Sequence, residues 1–71
     1  MLTLTKVREA AGLTRARLGA VASVHPARVG QIENQRIRPY DVELARIAEA
    51  LGYAGDPATL LEEVGSDGAA A

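Results

Sequence analysis

Two helical apolar faces in this chain stand on either side of one short break, Ser23-Val24-His25-Pro26. Before the break come Leu18, Gly19 and Ala22, and after it Val29 and Ile32, one helical step apart. Proline is favoured at the first position of a helix, because the N–H it lacks would have no partner there. The spacing therefore predicts a helix over 15–22 capped by Thr14, a turn plugged by Val24, and a third helix over 26–33. A tight crossing of two such helices needs a small residue where they meet, and Gly19 stands at that place. The result is a helix pair joined by a short turn, a geometry able to present its second helix to a groove.

The rest of the chain is punctuated in the same way. Leu4, Val7 and Ala11 share a face of a first helix, Thr5 to Ala11, stopped by Gly12. Arg38 precedes Pro39 and is pushed out of the helical region, so 34–39 reads as a loop. Leu44, Ile47, Ala48 and Leu51 give a fourth helix, opening at Tyr40-Asp41 and closed by Gly52 in a left-handed cap. Asp56-Pro57 opens a fifth, expected to run to Val64. No stretch alternates apolar and polar residues as a strand would. The expectation is an all-α, five-helix domain over residues 1–65, followed by a flexible C-terminal tail at 66–71.

Composition limits what such a domain can do. Of the 71 residues 34 are hydrophobic, but 14 of those are alanine, and there is no Phe or Trp. A chain this short buries only about 60% of its unfolded surface, which leaves no walls for a large catalytic cavity. With no cysteine and one histidine, thiolate and histidine-rich metal sites are excluded, and no cofactor or small-molecule ligand is expected. No Ser–His–acid set or Gly-rich phosphate loop stands out, so an enzyme is the weakest reading. No apolar run reaches the 18 or more residues of a membrane span, and the first eight are too polar for a signal peptide. A cytoplasmic binding module remains.

The charges are divided. Residues 1–38 hold seven basic and two acidic side chains, net +5; residues 39–71 hold one basic and seven acidic, net −6. A basic half suggests a polyanion partner.

The residues Lys6-Val7-Arg8-Glu9-Ala10-Ala11-Gly12-Leu13-Thr14, the Ile32-Glu33-Asn34 motif with Pro39 five residues later, and Leu44-Ala45-Arg46-Ile47-Ala48-Glu49-Ala50-Leu51-Gly52 resemble the Cro/phage-repressor, XRE-type helix-turn-helix family. The resemblance covers residues 4–64 without a gap. It departs at Arg15, where the family usually has Gln, and at Ser23, where the turn often has Gly. It departs again at His25 for a Ser or Thr cap, at Gly30 for a serine-like residue, and at Gln35, where many relatives have Gly.

The resemblance implies a lambda-repressor-like fold and a transcriptional regulator, most often a repressor, bacterial or phage in origin. It would bind double-stranded DNA with helix 26–33 in the major groove. Base contacts are then expected from Pro26, Ala27, Arg28 and Gln31, since an arginine fork matches guanine and a glutamine amide matches adenine. Backbone contacts are expected from Arg15, Arg17, His25, Asn34, Gln35, Arg36 and Arg38. Glu33 reads as a structural acid that holds the loop or an arginine. Tyr53, Ala54, Leu60, Leu61 and Val64 offer more apolar surface than a small monomer covers, and read as a homodimer interface on a palindromic operator. Two alternatives compete. In one, an antitoxin-like module binds a protein partner through Leu60-Leu61-Glu62-Glu63-Val64. The other, an RNA adaptor, lacks the aromatic platform such binding uses.

Overall fold

The computed structural model describes residues 1–64. Its elements are α1 (Thr3–Ala10), α2 (Arg15–Ala22), α3 (Pro26–Glu33), α4 (Asp41–Leu51) and a 3-10 helix (Pro57–Leu61). The all-helical reading holds among the described residues, where the only bridge is an isolated antiparallel one between Leu2 and Glu63. The tail expected at 66–71, and its boundary at 65, lie outside the described residues.

The fifth helix is the element the sequence misjudged. It is a single 3-10 segment, not an α-helix reaching Val64. Asp56 caps it through Ala58 N–H at 2.9 Å. The Thr59 N–H donates to Asp56 O at 2.8 Å and the Glu62 N–H to Thr59 O at 3.1 Å, both three-residue closures. The chain then turns extended at Glu62, φ −79° and ψ 144°. It is drawn there by the N-terminal residues: Thr3 N–H donates to Glu62 O and Val64 N–H to Met1 O, each at 2.8 Å. The same pairing starts α1 at Thr3, two residues earlier than expected, with Leu2 as its N-cap.

The core is formed by Leu2, Leu4, Leu18, Ala22, Val24, Val29, Ile32, Leu44, Ile47, Ala48 and Leu60. α2 lies at its centre, packed on both α3 and α4, while the 3-10 helix closes the end formed by α1 and α4. Leu60 is fully buried in this core. That corrects its placement in a dimer interface: its side chain already fills the space between α1 and α4, and no partner can reach it.

Gly19 sets the α2–α3 crossing. A Cβ there would collide with the Val24 carbonyl oxygen and stand 3.2 Å from Pro26 N. The turn takes its left-handed residue at Ser23, φ +59° and ψ 40°, with its N–H on Gly19 O. Val24 N–H donates to the same carbonyl at 2.9 Å. The serine therefore adopts a turn geometry that favours glycine. Gly52 ends α4 at φ +65°, the left-handed cap expected of it.

Candidate nucleic-acid interface

α3 begins at Pro26 behind an unusual cap. His25 Nδ1 accepts the Ala27 N–H at 3.0 Å, the capping bond that a Ser or Thr hydroxyl would otherwise make. Val29 and Ile32 turn into the core, which leaves Pro26, Ala27 and Gln31 exposed along the helix. These three stand as the sequence placed them, on the outer face of the second helix of the pair.

Around α3 lie the expected backbone-binding residues. Arg17, Asn34, Arg36 and Arg38 are exposed. Among the described residues, no side-chain hydrogen bond or ion pair occupies Arg17, Gln31, Arg36 or Arg38. Asn34 caps the C-terminus of α3, and Gln35 follows in the left-handed region at φ +61°. That is a geometry glycine adopts more readily than glutamine. The Gln35 side chain is engaged, with Nε2 donating to Glu63 Oε1 at 2.9 Å.

Two arginines are not free. Arg15 Nε donates to Glu33 Oε1 at 2.9 Å, although the arginine side chain remains 46% exposed. Glu33 is the anchor of a buried group. Its other partner is Arg8, with Nε on Oε2 at 2.6 Å and Nη2 on Oε1 at 3.2 Å; Arg8 Nη1 also donates to Leu13 O at 2.7 Å. The Glu33 side chain is 1% exposed. One carboxylate thus ties the end of α3 to α1 and to the start of α2, the structural role expected of it. Gly30 sits against this group: a Cβ there would lie 3.6 Å from Arg15 Nη1, an ordinary contact.

Arg28 is the second. It is half-buried against α4, with Nε on Glu43 Oε2 at 2.9 Å and Nη2 on Glu43 Oε1 at 2.7 Å. Its guanidinium stacks over the Tyr40 ring, 5.4 Å from the centroid. Glu43 also accepts the Tyr40 N–H at 3.0 Å, reaching back to the N-cap of its own helix. The Arg28 hydrogen bond holds the Glu43 carboxyl below the usual carboxylate range, and Glu43 raises Arg28 in return. The structure therefore gives Arg28 a protein partner, unlike the exposed Pro26, Ala27 and Gln31.

Tyr40, Glu43 and Arg8 were not singled out as site residues by sequence. Arg8 had a signal: it falls four residues after Leu4, on the inward face of α1. Glu43 stands three residues after its N-cap, but the tyrosine at that cap hides the usual capping signature.

Of the expected dimer residues other than Leu60, Tyr53 and Leu61 are half-buried and packed against the core, Val64 is half-buried, and Ala54 is exposed. The large exposed apolar side chains beyond Met1 lie elsewhere, at Val21, Tyr40 and Val42. No helix among the described residues is long and apolar enough to cross a membrane.

Comparison with known proteins gives the same assignment. A search of curated proteins and a search of solved structures each found no significant match. The helix-turn-helix domain family matches over residues 2–61, from the N-cap of α1 through the 3-10 helix. That stretch includes the whole of the α2–turn–α3 unit, and such a domain points to DNA as the partner. The chain belongs to the helix-turn-helix domain family.

Proposed function

We propose that this protein is a sequence-specific DNA-binding transcriptional regulator of the Cro/XRE type, of bacterial or phage origin, acting in the cytoplasm as a repressor rather than as an enzyme. The observation that carries the reading is the outer face of α3. Pro26, Ala27 and Gln31 are exposed side by side, and Arg17, Arg36 and Arg38 lie outside any ion pair among the described residues. A helix in the major groove needs that division: short or amide side chains for base edges, and cations for the phosphates that flank them. Gln31 is assigned to an adenine edge, and Pro26 and Ala27 to a thymine methyl. Arg17, Arg36 and Arg38 are assigned to phosphate, with Asn34 and the exposed edge of His25 beside them. Arg15 and Gln35 can add to these contacts only by sharing or leaving Glu33 and Glu63.

An eight-residue α3 covers one half-site. A homodimer on a palindromic operator supplies the second, with the two helices about 34 Å apart. Tyr53, Ala54, Leu61 and Val64 remain the surface assigned to that contact. The segment that favoured a protein partner loses its central anchor, Leu60, to the core, while the outer face of α3 stays open to DNA. The DNA reading is therefore the one carried forward.

The test is fluorescence anisotropy with duplex from the region preceding this protein's own coding sequence, against scrambled duplex, over roughly 50–200 mM salt. A preference of about 10³-fold or more, with two chains per duplex, supports the regulator; equal binding to both duplexes contradicts it.

A further inference from the structure

Two Arg–Glu forks hold α3, and they differ in one respect. In the Arg8–Glu33 fork the carboxylate is 1% exposed and is held by two arginines. In the Arg28–Glu43 fork the carboxylate is 14% exposed and the arginine side chain 34%. The first is sealed. The second opens onto solvent at the third residue of α3, next to the exposed Pro26 and Ala27.

We infer that Glu43 is a built-in competitor for Arg28: the arginine is held by this carboxylate in the free protein and exchanges it for a pair of acceptors on DNA, so that Glu43 sets how tightly the protein binds. The inference rests on the DNA-binding reading above and assigns a role to a residue outside α3. Three features support it. The guanidinium meets Glu43 through two parallel donors, Nε and Nη2, and that planar fork fits guanine O6/N7 or two phosphate oxygens equally well. Glu43 is not stranded when Arg28 leaves, because it keeps the Tyr40 N–H and sits in the first turn of α4, where the helix dipole favours an anion. A partly exposed ion pair is worth little in water, so the exchange has a low cost. Once exchanged, however, the Glu43 carboxylate faces a polyanion without its fork, offset only by the field of Arg46, which makes no ion pair with it, and this weakens the complex.

The experiment is a double-mutant cycle on DNA affinity with wild type, Glu43→Gln, Arg28→Ala and the double variant, each checked for helicity by circular dichroism. Both duplexes named above are used, across the same salt range. Glu43→Gln is expected to raise affinity about fivefold or more and to steepen the log–log salt slope by up to about 0.9. Arg28→Ala is expected to cost at least about threefold more in the E43Q background than in wild type, because only in wild type does Arg28 give up a partner on binding. A gain confined to the protein's own upstream duplex assigns the acceptor pair to a guanine edge, and a gain on both assigns it to phosphate; either supports the inference. If Glu43→Gln loses the fold, Glu43→Asp, one methylene too short for the two-pronged grip, must raise the cost of Arg28→Ala in the same direction. Specific binding with an equal Arg28→Ala cost in both backgrounds overturns the inference and leaves the regulator reading standing. Absence of binding in all four proteins overturns both.

Discussion

Replacing Gly19 by alanine runs against the usual helix rule. In an open helix the change stabilises by about 0.5–1 kcal/mol. Here the added Cβ meets backbone, the Val24 carbonyl and Pro26, which cannot rotate away as a flexible side chain would. Gly19→Ala is predicted to destabilise by about 1–3 kcal/mol, the cost of overpacking, as measured by urea unfolding. Ser23 is the opposite case. Its backbone is left-handed at φ +59°, and its side chain makes no hydrogen bond among the described residues. Left-handed geometry costs a non-glycine residue about 1–2 kcal/mol, and glycine's extra unfolded freedom offsets part of that. Ser23→Gly is predicted to stabilise by about 0.5–1 kcal/mol, raising the melting temperature by a few degrees; no change or a fall would show that the serine is unstrained. Gly19 was legible in the sequence, because a glycine inside an apolar helix face has a local reading; the left-handed turn at Ser23 was not, because serine disfavours that geometry.

Between elements the sequence was less informative, because the decisive contacts join residues far apart in the chain. Glu33 binds Arg8 and Arg15 from positions 25 and 18 residues away, so α1, α2 and α3 converge on one buried carboxylate. Glu33→Ala leaves the Arg8 cation buried without its partner and is predicted to destabilise by about 3–5 kcal/mol, enough to unfold much of a small domain at room temperature. Thermal unfolding followed by circular dichroism gives the measure. The α3–α4 fork has a pH signature. Arg28 lowers the Glu43 carboxyl below its usual range, so the unfolded chain binds a proton that the folded chain still refuses. The stabilisation from this group is complete above the unfolded carboxylate value of about 4.3 and is lost as pH falls from there through the lower folded value. Glu43→Gln should therefore unfold with a shallower loss of stability between about pH 5 and 3 than wild type. An unchanged slope would show that the fork contributes nothing. The 3-10 helix failed as a prediction for a related reason: the extended pairing of Glu62 and Val64 with Thr3 and Met1 spans nearly the whole chain and competes with local helix formation.

For the whole molecule, the charge asymmetry remains the clearest indication of a polyanion, but the fold changes its meaning. Of the seven basic residues in 1–38, Arg8 and Arg15 share the single carboxylate of Glu33, which leaves one positive charge over, and Arg28 is paired with Glu43. Lys6, Arg17, Arg36 and Arg38 stand outside the ion pairs among the described residues; of these Arg17 lies in α2, and Arg36 and Arg38 follow α3. The helix pair, its turn and the exposed face of α3 were legible because each is written in neighbouring residues. The state of Arg28, the depth of Leu60 and the α1–Glu62 pairing were not, because each is fixed by a residue distant in sequence. The central claim is that α3 reads base edges while the surrounding arginines hold the backbone. The most direct measurement compares Gln31→Ala with Arg36→Ala by fluorescence anisotropy on own-upstream and scrambled duplexes. Gln31→Ala is predicted to lose about 1–3 kcal/mol on the upstream duplex alone, and Arg36→Ala to weaken both duplexes alike and reduce the salt slope by about one. If Gln31→Ala instead weakens both duplexes equally, or neither, α3 does not read the sequence and the account is wrong.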